Sequence, residues 1–388
     1  MTVALTGPGR SALAAGAVLI VVGTYFDYPE VLALGLAAAT AVTAGLLRAL
    51  PRIGITVERF VHPDRVEEGE KIRCDVRCAN SGRWRVPELE LTEVIDGVRT
   101  HVSLPRLRAG AGEQVRTYWI TPPRRGVYEL PPPSVARYDG LRLAARRSWS
   151  GRPQTVYVRP RVYPLAATDA YGSRELDGWT ANPHLGQTSF HSLREYVDGD
   201  DPRLIHWPSS ARLGSLVVRQ AFVPSTMRFT IVLDTAMTRY TSESFEDAVR
   251  IAASLAVAVT RTGAPLTLCT TDSARAAPPP SDGPDGDPEG TVLDFLAGVR
   301  LTPAARGAAR WHDALATVDE VATLTVVTGN AYDDELSAVL NAAAVTSVQF
   351  VRVGVPEAER STAPRDGRLL DVGTAFDFSE RWIGWVRP

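Results

Sequence analysis

The chain has 388 residues and a formal net charge of −2, too long for one compact core and predictive of two or three domains. Near-neutrality, with no basic run longer than the pairs Arg124-Arg125 and Arg146-Arg147, supplies no electrostatic footprint for nucleic acid, and none is expected as a partner. Three cysteines exclude a disulfide framework: on one strand face Cys74 and Cys78 stand about 13 Å apart at ~3.3 Å per residue, beyond disulfide reach, and Cys269 falls in another domain. A reducing compartment fits this usage, and a Cys-based metal site does not.

Two apolar segments open the chain, Ser11 to Phe26 and Val31 to Leu47, separated by Asp27-Tyr-Pro-Glu30. They predict a membrane hairpin over residues 1–52, with helices at about 11–28 and 31–50, each close to the ~20 residues that cross a bilayer. A signal peptide is the rival for the first segment, but a second apolar segment follows at once and no small-residue cleavage site separates them. Arg10, Arg48 and Arg52 flank the outer ends while the turn carries only acids, so both ends are expected in the cytoplasm together with everything that follows.

From residue 53 to 160 short alternating runs bounded by Gly, Pro, Asn or Asp predict antiparallel strands. They are Ile55–Phe60, Lys71–Cys78, Glu88–Leu91, Gln114–Ile120 and Gly126–Leu130. An immunoglobulin-like β-sandwich is the expected fold, acting as a spacer or binding module. Residues 161–227 hold a run dense in charged, aromatic and turn residues: Arg194-Glu195-Tyr196, then Asp198-Gly199-Asp200-Asp201-Pro202-Arg203, then His206-Trp207 and Ala211-Arg212. After it, over 228–388, strands alternate with helices: Arg228–Asp234, Leu266–Thr270, Thr323–Thr328 and Val345–Val353, with helices at 244–260 and near 292–299, 311–318 and 333–343. Continuous apolar strands of this kind predict a parallel sheet covered on both faces, a Rossmann-like α/β domain. A Pro/Gly/Asp-rich stretch at 276–290 predicts a mobile loop.

The order Arg-Glu-Tyr, Gly-Asp-Asp-Pro-Arg, Trp, Ala-Arg resembles the signature of the bacterial family known as domain of unknown function 58. That resemblance implies a membrane hairpin, a β-rich middle and a von Willebrand A-like end in this order. It also implies partners: a MoxR-type AAA+ ATPase, often with a transglutaminase-like membrane protein, and a chaperone-like role in assembly or maturation of envelope-associated complexes. The chain departs from the pattern at Pro208, where a lysine usually follows the Trp, and at His206, where an acid is common.

Asp234 is the sharpest single candidate. In von Willebrand A domains an Asp-x-Ser-x-Ser loop at the end of the first strand holds a divalent cation through hard oxygen ligands. Here the loop reads Asp234-Thr-Ala236-Met-Thr238, one hydroxyl is missing, and Thr328-Gly-Asn330 offers an amide where a further acid is expected. A degenerate site is therefore predicted, with no cofactor beyond weak magnesium at Asp234 and Thr238. In the signature run, Glu195 paired with Asp198 or Asp200 has the composition for proton transfer, whereas Arg194, Arg203 and Arg212 suit bidentate ion pairs with those acids. The second assignment, an interdomain or partner contact, is preferred. No zinc-ligand spacing links His184, His191 and His206, and the serines lack a Gly-x-Ser-x-Gly setting. The expected function is that of a non-enzymatic, membrane-anchored cytoplasmic adaptor. A cation-dependent binding domain of integrin type through Asp234 is the alternative, and an enzyme using the signature acids comes third.

Overall fold

The structure, a computed structural model, describes the chain apart from residues 1, 51–53, 81, 84, 96, 111, 166–189, 196–204, 222–227, 273, 279–285, 304–321, 331–346, 361–368 and 387–388. The chain divides into two compact units, Met1–Arg161 with Leu293–Val299, and Val162–Val292 with Arg300–Pro388.

The first unit opens with strand β1 (Thr2–Leu5), then helices α1 (Gly7–Tyr25) and α2 (Pro29–Ala49). Thr6 starts α1: its hydroxyl accepts the Gly9 N–H at 3.1 Å, and a proline in the first turn needs no amide partner there. Asp27, at φ 53°, reverses the chain, and Pro29 begins α2. At ~1.5 Å per residue the two helices are roughly 28 and 32 Å long, and both are long and apolar enough to cross a membrane. Tyr25, Phe26 and Tyr28 are exposed around the turn.

Glycines let the two helices touch backbone to backbone. Gly9, Gly16 and Gly23, seven residues apart, are the buried positions of α1, and α2 buries Gly35, Val42, Gly45 and Ala49. A Cβ on Gly23 would lie 2.5 Å from the Leu32 nitrogen, and one on Gly35 2.8 Å from the Ile20 nitrogen. Small residues at the seam are how helices associate in lipid, where no hydrophobic drive separates one apolar surface from another.

Strands β2 (Ile55–His62), β4 (Ile72–Asn80) and β7 (Gln114–Ile120) form an antiparallel sheet in the order β2-β4-β7. Strands β5 (Leu89–Ile95), β6 (Val98–Leu104), β9 (Ser134–Tyr138) and β10 (Ala144–Trp149) join β1 in a second, ordered β1-β10-β9-β5-β6. A third comprises β3 (Arg65–Glu67), β11 (Gln154–Arg159) and β8 (Gly126–Leu130). Along β4 alternate residues are buried, so Ile72, Cys74, Val76 and Cys78 enter one apolar core with Val57, Leu91, Leu104, Leu130 and Val156. Burial pushes both the Cys74 and Cys78 thiols up to about 11, and all three cysteines are free.

Both ends of the helical hairpin are tied to this unit. β1 pairs antiparallel with β10 from Thr2↔Arg147 to Leu5↔Ala144, the Thr6 N–H donates to the Leu143 carbonyl at 3.0 Å, and the Arg146 guanidinium donates to the Leu50 carbonyl at the end of α2. The start of α1 and the end of α2 therefore lie on the same side.

In the second unit β12 (Phe190–Glu195) pairs antiparallel with β13 (Val217–Ala221), and helix α3 (Trp207–Leu213) lies between them in sequence. A six-stranded sheet follows, built from β14 (Arg228–Leu233), β15 (Leu266–Thr270), β16 (Arg275–Ala276), β17 (Ala322–Thr328), β18 (Ser347–Val353) and β19 (Leu369–Val372). Its order is β16-β15-β14-β17-β18-β19, parallel throughout except for the edge strand β16. Helix α4 (Ser242–Arg261) begins at a capping box between Thr241 and Ser244, and from Ile251 to Thr260 every residue is buried. Helix α5 (Pro288–Gly298), whose residues from Leu293 on belong to the first unit, and helix α6 (Ala375–Val386) are the remaining described α-helices. Phe378 and Trp382, one turn apart on α6, are fully buried with ring centroids 5.0 Å apart.

The loop expected over 276–290 is shorter than its composition implied. A strand reaches Ala276 and α5 already starts at Pro288, with proline again in the first turn and the Gly290 N–H donating to Asp287. The helices expected near 311–318 and 333–343 lie outside the described residues.

Candidate functional site

Strand β14 lies between β15 and β17, and the chain visits β15 on one side before reappearing at β17 on the other. The carboxyl ends of β14 and β17 thus bracket the point where the strand order reverses, the usual ligand position in open α/β sheets. Asp234 sits there, with no solvent exposure. Its Oδ1 accepts the Ala236 N–H at 3.1 Å and the Thr271 hydroxyl at 3.2 Å, and its Oδ2 accepts the Thr328 hydroxyl at 3.0 Å. The Thr235 hydroxyl stands 3.1 Å from that of Thr271 and 3.0 Å from that of Thr302. Each of three neighbouring strands therefore ends in a hydroxyl or carboxylate: Asp234-Thr235 after β14, Thr271 after β15, Thr328 on β17.

All these donors are oxygens, the type a hard cation takes. Magnesium, however, keeps several waters and needs an open position, while Asp234 is sealed and both its oxygens are engaged by the chain. Thr238, the other expected ligand, is exposed on a one-turn 3-10 helix, Met237–Arg239. Among the described residues no group of three or more His, Cys, Asp or Glu is placed to hold a metal. As arranged, the residues do not fit a resident cation; magnesium would have to displace Thr271 and Thr328 from the carboxylate.

The loop carrying Asp234 is fixed on both flanks. The Thr302 N–H donates to the Thr235 carbonyl at 2.8 Å and the Met237 N–H to the Thr302 carbonyl at 2.9 Å. On the other flank the Asn330 N–H donates to the Arg239 carbonyl at 3.0 Å, and the Arg239 guanidinium donates to the Asn330 carbonyl at 3.0 Å. Met237, half exposed, and Thr238 are left on the outer surface of a rigid loop.

Of the signature run, Arg194 and Glu195 lie on β12 opposite Val218 and Val217. Tyr196, Asp198, Gly199, Asp200, Asp201 and Arg203 lie outside the described residues. His206 caps α3: its Nδ1 accepts the Ser209 N–H at 3.3 Å and lies 2.7 Å from the Ser209 hydroxyl. The second distance suits a nucleophile and its base, but both contacts converge on one nitrogen within a single turn, which is capping geometry. The imidazole thus takes the place of the acid common at this position, and acids are among the best N-caps. Pro208 falls in the first turn of α3, where a missing N–H costs nothing.

Ser210, which sequence reasoning passed over, pins α3 to β13. Its buried hydroxyl accepts the Val217 N–H at 2.9 Å and donates to the His206 carbonyl at 3.1 Å. With Ser210 inward on a seven-residue helix, Trp207 and Arg212 fall on the outer faces and both are exposed. The aspartates expected to pair with Arg212 lie outside the described residues. His206→Ala in the full chain should lower stability by about 1 kcal/mol in a denaturant melt and His206→Asp should recover it; an alanine variant that melts like wild type removes the capping role.

Residues 192–375 match the model of a family described as "Protein of unknown function DUF58". The second unit therefore carries a DUF58-like domain. No curated protein matches the chain. Among solved structures, a CARDB domain from Pyrococcus furiosus in complex with di-metal ions is similar at 20% identity over 27% of this chain and 88% of that one, with a TM-score of 0.20. The sporulation control protein Spo0M of Bacillus subtilis is similar at 13% identity over 28% and 50%, with a TM-score of 0.15. The DNA glycosylase AlkC of Pseudomonas fluorescens, bound to DNA containing an abasic site analog, is similar at 14% over 34% and 40%, with a TM-score of 0.20. Scores this low carry no assignment.

Proposed function

We propose that this chain, with its DUF58-like domain, is a membrane-anchored, cytoplasm-facing adaptor without enzymatic activity of its own, working with a MoxR-type AAA+ ATPase on envelope-associated complexes. The observation that carries the reading is the state of Asp234. At the place where an α/β sheet conducts its chemistry, the carboxylate is sealed and held by the chain's own donors, while Met237 and Thr238 face outward on a braced loop. That combination suits recognition of a protein surface better than turnover or cation capture. In this reading the first unit is an immunoglobulin-like sandwich bearing the hairpin, and the six-stranded sheet is a von Willebrand A-like domain. The ATPase and an accompanying transglutaminase-like membrane protein come from the family resemblance and are proposed on that basis.

Orientation follows from charge and geometry together. Arg10 and Arg48 flank the two outer helix ends, which are tied to one β-rich unit, and arginines favour the cytoplasmic side. A reporter fused after Pro388 that works only when exported should stay silent; activity would reverse the topology. The oxygen-only surroundings of Asp234 favour a second reading, a cation-dependent binding domain of integrin type, which separates from the first by its response to magnesium.

A further inference from the structure

A cavity of about 760 Å³ opens in the first unit beside the end of α2, and Arg48, Arg106, Arg137 and Arg142 are among its lining residues. The acids in the same wall are already engaged. The Ser103 hydroxyl donates to Glu88, His101 Nδ1 lies 2.7 Å from Glu90, and Asp139 accepts the N–H groups of Leu141 and Ala144 at 3.0 and 2.6 Å. Among the described residues none of the four arginines has a carboxylate partner. Arg142 stacks over the Tyr138 ring at 5.2 Å and holds a left-handed φ of 56°, a conformation that costs a non-glycine residue energy and is concentrated at binding sites. Burial, with Arg146 nearby, holds the Arg137 guanidinium below its ordinary range, as expected of a cation lacking its counter-charge.

The cavity lies at the foot of the helical hairpin. The Asp139–Leu143 turn that forms part of its wall receives the start of α1 at Leu143, and a Cβ added at Gly45 of α2 would lie 3.3 Å from the Asp139 carboxylate. Leu141, at the tip of that turn, is 68% exposed. If α1 and α2 cross the bilayer, this cluster stands at the depth of the lipid headgroups, with the exposed Leu141 side chain beside it. Arginine forks match phosphate oxygens, and a basic pocket beside membrane helices on the cytoplasmic side is a headgroup site. We propose that this cavity binds the phosphate of an anionic phospholipid from the cytoplasmic leaflet, an inference that rests on the anchored reading above.

The test uses the full chain in neutral detergent, with its melting temperature followed as dioleoyl-phosphatidylglycerol, dioleoyl-phosphatidylcholine or inorganic phosphate is added. Phosphatidylglycerol should raise the melting temperature of the wild type, because a ligand stabilises the state it binds; the other two should leave it unchanged. Arg137→Gln with Arg142→Gln should abolish the rise, while Arg10→Gln, at the same end of the hairpin but outside the cavity, should retain it. Arg106→Gln, on an exposed side chain that poses no folding burden, should weaken the apparent lipid affinity roughly fivefold. An equal rise with phosphatidylcholine, or with inorganic phosphate alone, overturns the proposal, as does an Arg106→Gln variant with wild-type affinity. Flotation with pure phosphatidylcholine vesicles tests the anchor separately: loss of flotation defeats the anchored reading, and flotation without any phosphatidylglycerol effect defeats only the cavity.

Discussion

Glu93→Ala and Arg59→Ala should each destabilise the first unit by about 3–5 kcal/mol, the cost of leaving one member of a buried ion pair alone. Arg59 on β2 and Glu93 on β5 meet at 2.6 Å with side chains 1% exposed. The Tyr118 hydroxyl on β7 donates to Glu93 at 2.7 Å, and Arg59 also donates to the Leu130 carbonyl and to Gln154 at 3.1 Å. One polar cluster therefore fastens all three sheets. Burial pushes the Glu93 carboxyl above its ordinary range although Arg59 and Tyr118 pull it down, so desolvation outweighs the attraction within the pair. The paired replacement Arg59→Met with Glu93→Leu should consequently recover most of the loss. Denaturant unfolding followed by tryptophan fluorescence reads all three; single variants within 1 kcal/mol of wild type would show that the cluster fastens nothing.

Asp234→Ala should cost about 2–6 kcal/mol, because it strands the Thr328 hydroxyl and the Ala236 N–H in a sealed site at ~1–3 kcal/mol for each donor left without a partner, while Thr271 keeps the Thr235 hydroxyl at 3.1 Å. Asp234→Asn, which keeps one acceptor oxygen, should cost less. Neither the wild type nor the variants should melt differently with magnesium, since a ligand held at 100 times its Kd stabilises by about 2.7 kcal/mol and would be plain in the melt. A wild-type melting temperature that climbs with magnesium, and a climb lost in Asp234→Ala, would transfer the account to the cation-dependent reading.

Apolarity and length made the two helices legible as helices, because each run is apolar over most of its length and the Asp27–Pro29 break separates them. The glycine seam is written there too, as Gly16 and Gly23, but its meaning depends on the partner helix coming within backbone contact, whereas Gly9 meets the Leu143 backbone. β1 was hidden for a different reason: Thr2–Leu5 becomes a strand by pairing with Ala144–Arg147, about 140 residues away, and nothing local announces that. The same holds for β10, whose Ala-Ala-Arg-Arg run disguises its alternation. Arg59 occupies an inward position between Val57 and Val61, so its burial was readable from the period of two, but charge argued the other way. Around Asp234 the position was legible and the chemistry was not. Thr271 and Thr328 stand at strand ends in the sequence, yet only the parallel register brings their hydroxyls to one carboxylate. For α6, Phe378 and Trp382 at a spacing of four carried a helical signal that sequence reading passed over.

Affinity purification of the full chain from native membranes, in mild detergent with ATP and magnesium, tests the adaptor claim most directly. The account predicts that a MoxR-type ATPase is retained, that Met237→Glu on the exposed loop reduces its retention severalfold without changing the melt, and that Arg10→Gln does not. Wild-type protein recovered intact from those membranes without any such ATPase, even after chemical cross-linking, would contradict it.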